Sequence, residues 1–287
     1  MRTGIALNDV GVPAAPSSMS IAVPDCEYAV PATRMTSAIA AVALALCGDV
    51  ACAVEEPVPS RHTDLQVTYE HSSGRYGDPG RTRIDNLTVV GRHRWSGWLM
   101  ETQVPFLEIR TDSGRSGLPD SVGSGSGTEK GLGDINFLIS RELLPFTDDG
   151  LGIDATVKVK TKSGDVDRGL GSGGTDFALQ VDGIQRLGDW IAFGHAGYRR
   201  TGDVPGFPRY RNPWYAEGGG YRSFGTHWEA GGYYDFRQAI GRLGPLREAT
   251  AYLGIRIDAY KLQAYVTKGF ATASPDWAVG VALRRRF

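Results

Sequence analysis

The sequence predicts an all-β fold, a transmembrane up-and-down antiparallel β-barrel of about 12 strands. Three observations lead there. After residue 63 the chain divides into stretches of roughly ten residues in which apolar and polar side chains alternate, the period of a strand with two unlike faces. The connections between these stretches are by turns short and long. No window of about 18 apolar residues exists for a helix to cross a bilayer, a test that alternating strands pass unseen.

The first expected strand is Asp64 to His71, with Leu65, Val67 and Tyr69 on one face and Gln66, Thr68 and Glu70 on the other. Strands two (Arg83 to Arg94) and three (Trp98 to Glu108) are separated by Trp95-Ser96-Gly97 and form a tight hairpin. Strand four is Gly133 to Leu143, setting Ile135, Phe137 and Ile139 against Asn136, Leu138 and Ser140. Strand five, Leu151 to Lys162, alternates most cleanly: Ile153, Ala155, Val157 and Val159 oppose Lys158, Lys160 and Lys162. Strand six, Thr175 to Arg186, sets Phe177, Leu179 and Val181 against Asp176, Gln180 and Asp182. Strand seven, Trp190 to Arg200, has ambiguous faces.

Strands eight (Trp214 to Arg222) and nine (Thr226 to Arg237) follow, then ten (Glu248 to Asp258) and eleven (Tyr260 to Phe270). Strand twelve is Pro275 to Phe287, where Trp277, Val279, Val281 and Leu283 alternate with Ala278, Gly280, Ala282 and Arg284. The connections after even-numbered strands are short, and those after odd-numbered strands are mostly longer and rich in Gly, Ser and Pro. The longest, Ile109 to Gly131, contains Gly123-Ser124-Gly125-Ser126-Gly127. An even strand count with sorted loops is the pattern of an up-and-down barrel, and a soluble sandwich has no reason to produce it. Trp95, Trp98, Trp190, Tyr198, Trp214, Trp228, Tyr234, Phe236, Trp277 and Phe287 fall near strand ends, where rings settle among lipid head groups.

A net charge of -1 over 287 residues points away from nucleic-acid binding and from a polybasic membrane-surface protein. The three cysteines are Cys26, Cys47 and Cys52, so the chain beyond them has neither a thiol metal site nor a disulfide framework. Arg34 before the apolar run Ala38 to Leu46, closed by Ala51-Cys52-Ala53, reads as a secretory signal over 35–53 cleaved after Ala53. Leu46 before Cys47 argues against lipidation. Residues 1–34 are expected to be a spurious or disordered extension, 54–63 a short periplasmic segment, and 64–287 the barrel.

In hydrocarbon each unpaired backbone N–H or C=O costs several kcal/mol, so the strands must close on themselves. Twelve strands enclose more than the side-chain-filled barrels of eight and less than open porins. Strand phase assigns Glu70, Arg92, Arg94, Glu101, Glu142, Lys158, Lys160, Asp176, Asp182, Glu229, Asp235, Arg237, Arg256, Lys261, Arg284 and Arg286 to the lumen. These charges either line a pore or pair with one another and hold a filled barrel together.

Other motifs carry less. Gly169-Leu170-Gly171-Ser172-Gly173-Gly174 has the letters of a nucleotide-binding loop but lies between two amphipathic strands, and reads as an external glycine loop. His62, His71, His93, His195 and His227 show no zinc-ligand spacing, and Asp165 with Asp167 is a weak calcium signal. His71-Ser72 and His93 with Ser96 are fragments that a lipid hydrolase would use. No cofactor, metal or catalytic residue is expected.

Lys130-Gly131-Leu132-Gly133-Asp134, running into Ile135 to Leu143, resembles the outer-membrane barrels associated with the meta-pathway of phenol degradation, often labelled "transporter". Lys158-Val159-Lys160-Thr161, Arg168 to Gly171 with Thr175-Asp176, Tyr234 to Ala239, and Lys268 to Phe270 with Ser274 to Trp277 resemble the same family. Within this likeness Gly131 to Asp134 reads as the start of strand four, with Asp134 bonding local N–H groups. The final strand also resembles the C-terminal signature by which bacterial outer-membrane barrels are recognised for insertion, carried here by Val279, Val281, Leu283 and Phe287; Arg285 departs from it.

The resemblance implies an outer-membrane location and says little of substrate. The expected function is a narrow passive channel for small solutes, aromatic or hydrophobic ones included. A non-conducting structural or adhesive barrel acting through its external loops is the alternative, and an outer-membrane lipid-modifying enzyme the third reading. The expected partners are outer-membrane lipid, the barrel-assembly machinery during biogenesis and a small-molecule solute, with no nucleic acid.

Overall fold

The computed structural model describes residues 61–76, 80–112, 127–146, 150–203, 210–240 and 244–287. The extension expected over 1–34, the signal over 35–53, residues 54–60 and residues 113–126 of the longest loop lie outside them. The described residues form strands β1 (Arg61–Gly74), β2 (Thr82–Trp95), β3 (Trp98–Thr111), β4 (Thr128–Leu132), β5 (Asn136–Leu144), β6 (Leu151–Lys160) and β7 (Asp176–Leu187). They continue as β8 (Trp190–Arg200), β9 (Trp214–Phe224), β10 (Trp228–Arg237), β11 (Leu246–Ile257), β12 (Tyr260–Gly269) and β13 (Trp277–Arg286).

Every pairing is antiparallel and, β4 and β5 apart, joins chain neighbours, and β13 returns to β1 from Asp64↔Arg286 to Ser73↔Trp277. The sheet is therefore closed on itself, as strands in hydrocarbon must be, with Leu65 to Tyr69 among the residues that meet the last strand. Strands β4 and β5 both lie on β3, β5 along Trp98 to Gln103 and β4 along Phe106 to Arg110. They are two pieces of one broken strand, so the ring counts 12. This corrects the expected strand four: Gly133, Asp134 and Ile135 do not begin it but interrupt it.

One end of the barrel carries the short turns and both ends of the described chain, the end that faces the periplasm in barrels of this type. Ser96 (φ 42°) and Gly97 (φ 75°) both take the left-handed conformation that lets a two-residue hairpin follow the strand twist. The outer face is apolar: Leu65, Val67, Leu87, Met100, Ile139, Leu179, Leu262 and Val281 are exposed there. Exposed rings flank this belt, with Trp98, Trp190, Trp228 and Tyr260 at the short-turn end and Tyr198, Trp214, Tyr234 and Trp277 at the other. Arg285 fits this surface because its guanidinium stacks 5.3 Å from the Tyr260 ring centroid and 4.7 Å from that of Phe287.

The wall is not uniform. Between the rings, most lipid-facing positions of β8–β11 are small, namely Ala192, Gly194, Ala196, Ala216, Gly218, Gly220, Ala230, Gly232, Ala249 and Ala251, with Leu253 a large residue among them. The bulk lies inside instead, where Ile184, Ile191, Phe193, Tyr221, Tyr233, Tyr252 and Tyr265 form one buried cluster. Strand seven's faces were ambiguous for this reason, since Ile191 and Phe193 point in and, between Trp190 and Tyr198, only Ala192, Gly194 and Ala196 point out. Glycines opposite the rings make room for them: Gly231 pairs with both Tyr221 and Tyr252, Gly219 with Tyr233, and Gly280 with Tyr265. A Cβ at Gly231 would stand 2.6 Å from the Tyr221 Cβ and 2.8 Å from the Tyr252 ring.

Candidate functional site

The candidate site is the barrel interior and its mouth at the long-loop end. Of the residues assigned by phase to the lumen, Glu70, Arg92, Glu101, Asp176 and Glu229 are buried. Arg94, Lys158, Lys160, Asp182, Asp235, Arg237, Arg256, Lys261, Arg284 and Arg286 are half-buried on the same phase of their strands. Glu142 is half-buried beside a register irregularity between it and Leu144.

Many of these charges engage each other. Arg92 Nε donates to Glu101 Oε2 at 2.5 Å, Gln103 Nε2 donates to Glu101 Oε1 at 2.5 Å, and Arg92 Nη1 donates to Gln66 Oε1 at 2.9 Å. Both oxygens of the fully buried Glu101 are thereby satisfied, which is what permits a carboxylate there. Lys261 stands 2.6 Å from Glu229, and Arg286 stands 3.3 Å from Asp64. Tyr265 donates to Glu70 at 2.8 Å. Asp182 accepts from Thr156 at 2.7 Å and from Gln180 at 2.5 Å.

Register adds an arrangement that strand phase alone does not show. Asp154, Asp182, His195, Glu217, Asp235 and Glu248 stand directly opposite one another on six successive strands, β6 to β11. Strands of a barrel tilt against its axis, so such a row climbs the wall. Asp154 is near the short-turn end of β6 and Glu248 near the long-loop end of β11. Lys158 faces this row from β6, with its Nζ 5.6 Å from the Tyr215 ring on β9. One side chain thus reaches a wall three strands away, which marks a narrow interior. Asp154, His195, Glu217 and Glu248 were absent from the residues expected in the lumen. The signal for them is cross-strand register, which a single sequence does not print.

The mouth is crossed by the connection 161–175 between β6 and β7. Leu170 is 3% exposed and packs with Tyr76 and with Ile84, Leu107 and Ile109 of β2 and β3, beyond the broken strand β4–β5. The glycine stretch expected to be an external loop is therefore tucked inward at Leu170. Asp134 anchors it: Oδ1 accepts the Gly164 N–H at 3.0 Å and Oδ2 the Ser172 N–H at 2.7 Å. Its partners are some thirty or more residues away, not the local N–H groups expected from the sequence. Lys160 bonds Asp134 at 3.0 Å, contacts Asp176 at 3.3 Å and hydrogen-bonds Ser172. Gly164 and Gly171 touch: a Cβ at Gly171 would stand 2.5 Å from Asp134 Oδ1 and 2.6 Å from the Gly164 Cα. Burial under this strap pushes the Tyr76 phenol above its usual range, while its hydroxyl hydrogen-bonds Ser72 at 3.0 Å.

The serine–histidine fragments do not assemble. His71 faces outward, its Nδ1 2.9 Å from Asp85 Oδ1, which also accepts from Tyr69 at 2.6 Å. Ser72 lies on the inner face, bonded to Tyr76. His93 Nδ1 pairs with Thr63 at 2.8 Å rather than with Ser96. Asp165 accepts the N–H groups of Asp167 (3.0 Å) and Arg168 (3.2 Å), a turn bond. Among the described residues no group of three or more His, Cys, Asp or Glu side chains is placed to hold a metal ion. Val279, Val281, Leu283 and Phe287 all lie exposed on the lipid face.

No family profile and no curated protein matches the chain. Among solved structures it is similar to the COG4313 outer membrane channel from Pseudomonas putida F1, with a TM-score of 0.66 at 14% identity over 81% of this chain and 97% of that one. Weaker likenesses include the KdgM porin (TM-score 0.47, 10% identity, 77% and 99% covered) and the NanC porin (0.49, 10%, 77% and 98%). At such identities the likeness is one of fold.

Proposed function

We propose that the chain is a passive outer-membrane channel for a small solute, with a narrow lumen and an outer mouth closed by the strap 161–175. The observation that carries this reading is the strap itself: a polar, charged interior lies behind a loop held by side-chain bonds to Asp134 rather than by strand pairing. The fold shared with an outer membrane channel supports it. The ring-lined wall of β8–β12 supports a small aromatic or hydrophobic solute, in keeping with the resemblance to the phenol-degradation barrels. By the same reading the chain is exported by the signal over 35–53 and assembled through Val279, Val281, Leu283 and Phe287 by the barrel-assembly machinery.

The buried pair Arg92 and Glu101 favours a second reading, a non-conducting barrel held together by its internal charges. Planar-bilayer recording and liposome swelling with the folded protein separate the two. Discrete conductance or solute flux supports the channel, and the absence of both from a heat-modifiable, β-rich preparation supports the filled barrel.

A further inference from the structure

At the long-loop end, outward-facing cations of β2–β4 stand beside carboxylates: Arg83 is 2.9 Å from Asp112, Arg110 is 2.6 Å from Glu108, and Lys130 is 3.0 Å from Glu108. The short-turn end differs. Arg61, Arg141 and Arg285 are exposed there on the lipid-facing phase of β1, β5 and β13. Among the described residues none of the three has a carboxylate partner, whereas Arg222, elsewhere on that rim, stands 2.6 Å from Asp189.

Two of them rest on rings. Arg141 lies 5.2 Å from the Trp98 centroid and gives one N–H to the Ser96 carbonyl at 2.8 Å. Arg285 lies between Tyr260 and Phe287. Register joins the three arginines into one belt: Arg141 is opposite Trp98, Trp98 opposite Trp95, and Trp95 opposite Arg61. On the neighbouring strand Phe287 bonds Thr63, and Arg285 is opposite both Leu65 and Tyr260. A guanidinium stacked on a ring keeps its edge N–H groups free, and that edge fits a phosphate bidentately. Rings at a strand end sit at the depth of lipid head groups.

We propose that this belt, from β5 through the closing seam to β12, binds anionic phospholipid head groups of the periplasmic leaflet, with Arg61, Arg141 and Arg285 as counter-charges to their phosphates. The proposal does not depend on whether the barrel conducts.

Native mass spectrometry of the folded protein, delipidated in detergent and titrated with phosphatidylglycerol, phosphatidylcholine or inorganic phosphate, tests it. Phosphatidylglycerol should be retained on the order of tenfold over phosphatidylcholine, and Arg285→Gln should cost about fivefold of that retention. The triple variant R61Q/R141Q/R285Q should lose the preference while migrating as a folded, heat-modifiable barrel. Equal retention of the two lipids, an unchanged preference in the folded triple variant, or displacement of phosphatidylglycerol by inorganic phosphate would each overturn the lipid assignment. Should the triple variant not fold, the wild-type preference decides: it should fall in about 1 M salt, where charge is screened within about 3 Å, and indifference to salt refutes the proposal.

Discussion

Across β8–β11 the barrel wall turns its bulk inward, whereas across β13, β1 and β2 it turns its bulk toward lipid. In the first arc the positions between the ring girdles that meet the membrane are Ala and Gly except for Leu253, and Phe193, Tyr221, Tyr233 and Tyr252 meet the lumen. In the second, Val279, Val281, Leu65, Val67 and Leu87 meet the membrane, while Ala278, Gly280, Thr68, Ser72 and Thr88 face in. Strand pairing is equally regular in both. The alternation of a strand thus sets which face a residue occupies, and side-chain volume on each face is chosen separately. The consequence is an interior narrowed from one side, where rings stand among the row from Asp182 to Glu248, and lined by hydroxyls, amides and small residues on the other.

The largest effect that separates the two arcs should come from the polar side. Replacing Arg92 with Leu leaves Glu101 buried without its counter-charge, and urea unfolding from lipid vesicles should show a loss of about 3–5 kcal/mol. A loss no larger than that of an ordinary surface change would mean that water reaches Glu101 and the interior is wider than described. On the ring side, Gly231→Leu drives a branched side chain into Tyr221 and Tyr252 and should cost about 3 kcal/mol in the same assay. Tolerance there would show that the rings do not lie against the glycine.

Tyr265→Phe, at the border of the arcs, removes the bond to Glu70 and should cost about 1.5 kcal/mol. Tyr252→Phe should cost nothing, because among the described residues the buried Tyr252 hydroxyl has no hydrogen-bond partner. Equal effects at the two tyrosines would erase the distinction drawn between them. Smallest of all, Gly218→Ala on the lipid face should stay within about 0.5 kcal/mol, as a Cβ there meets nothing within 4 Å.

How much of this was legible follows from what each feature depends on. Alternation depends on near neighbours in the chain, so the strands, their faces and the closure of β1 on β13 were readable from the residues themselves. Strand seven resisted because Ala192, Gly194 and Ala196 give no polar contrast to Ile191 and Phe193. The break at Gly133 to Ile135 was misread because Asp134 is held by Gly164 and Ser172, partners a local reading does not reach. The carboxylate row from Asp154 to Glu248 depends on the stagger between strands, and the inward turn of Leu170 depends on a pocket made by β2, β3 and Tyr76. Each of these is a relation between distant segments, so neither composition nor period records it.

Planar-bilayer recording of the folded wild type beside Asp134→Ala tests most directly whether the strap closes the mouth. Loss of the two N–H bonds to Asp134 should free the strap and raise the fraction of time spent conducting by at least about tenfold, with the wild type mostly closed. Equal conductance from the two folded proteins, whether both open or both silent, would contradict a channel sealed by residues 161–175.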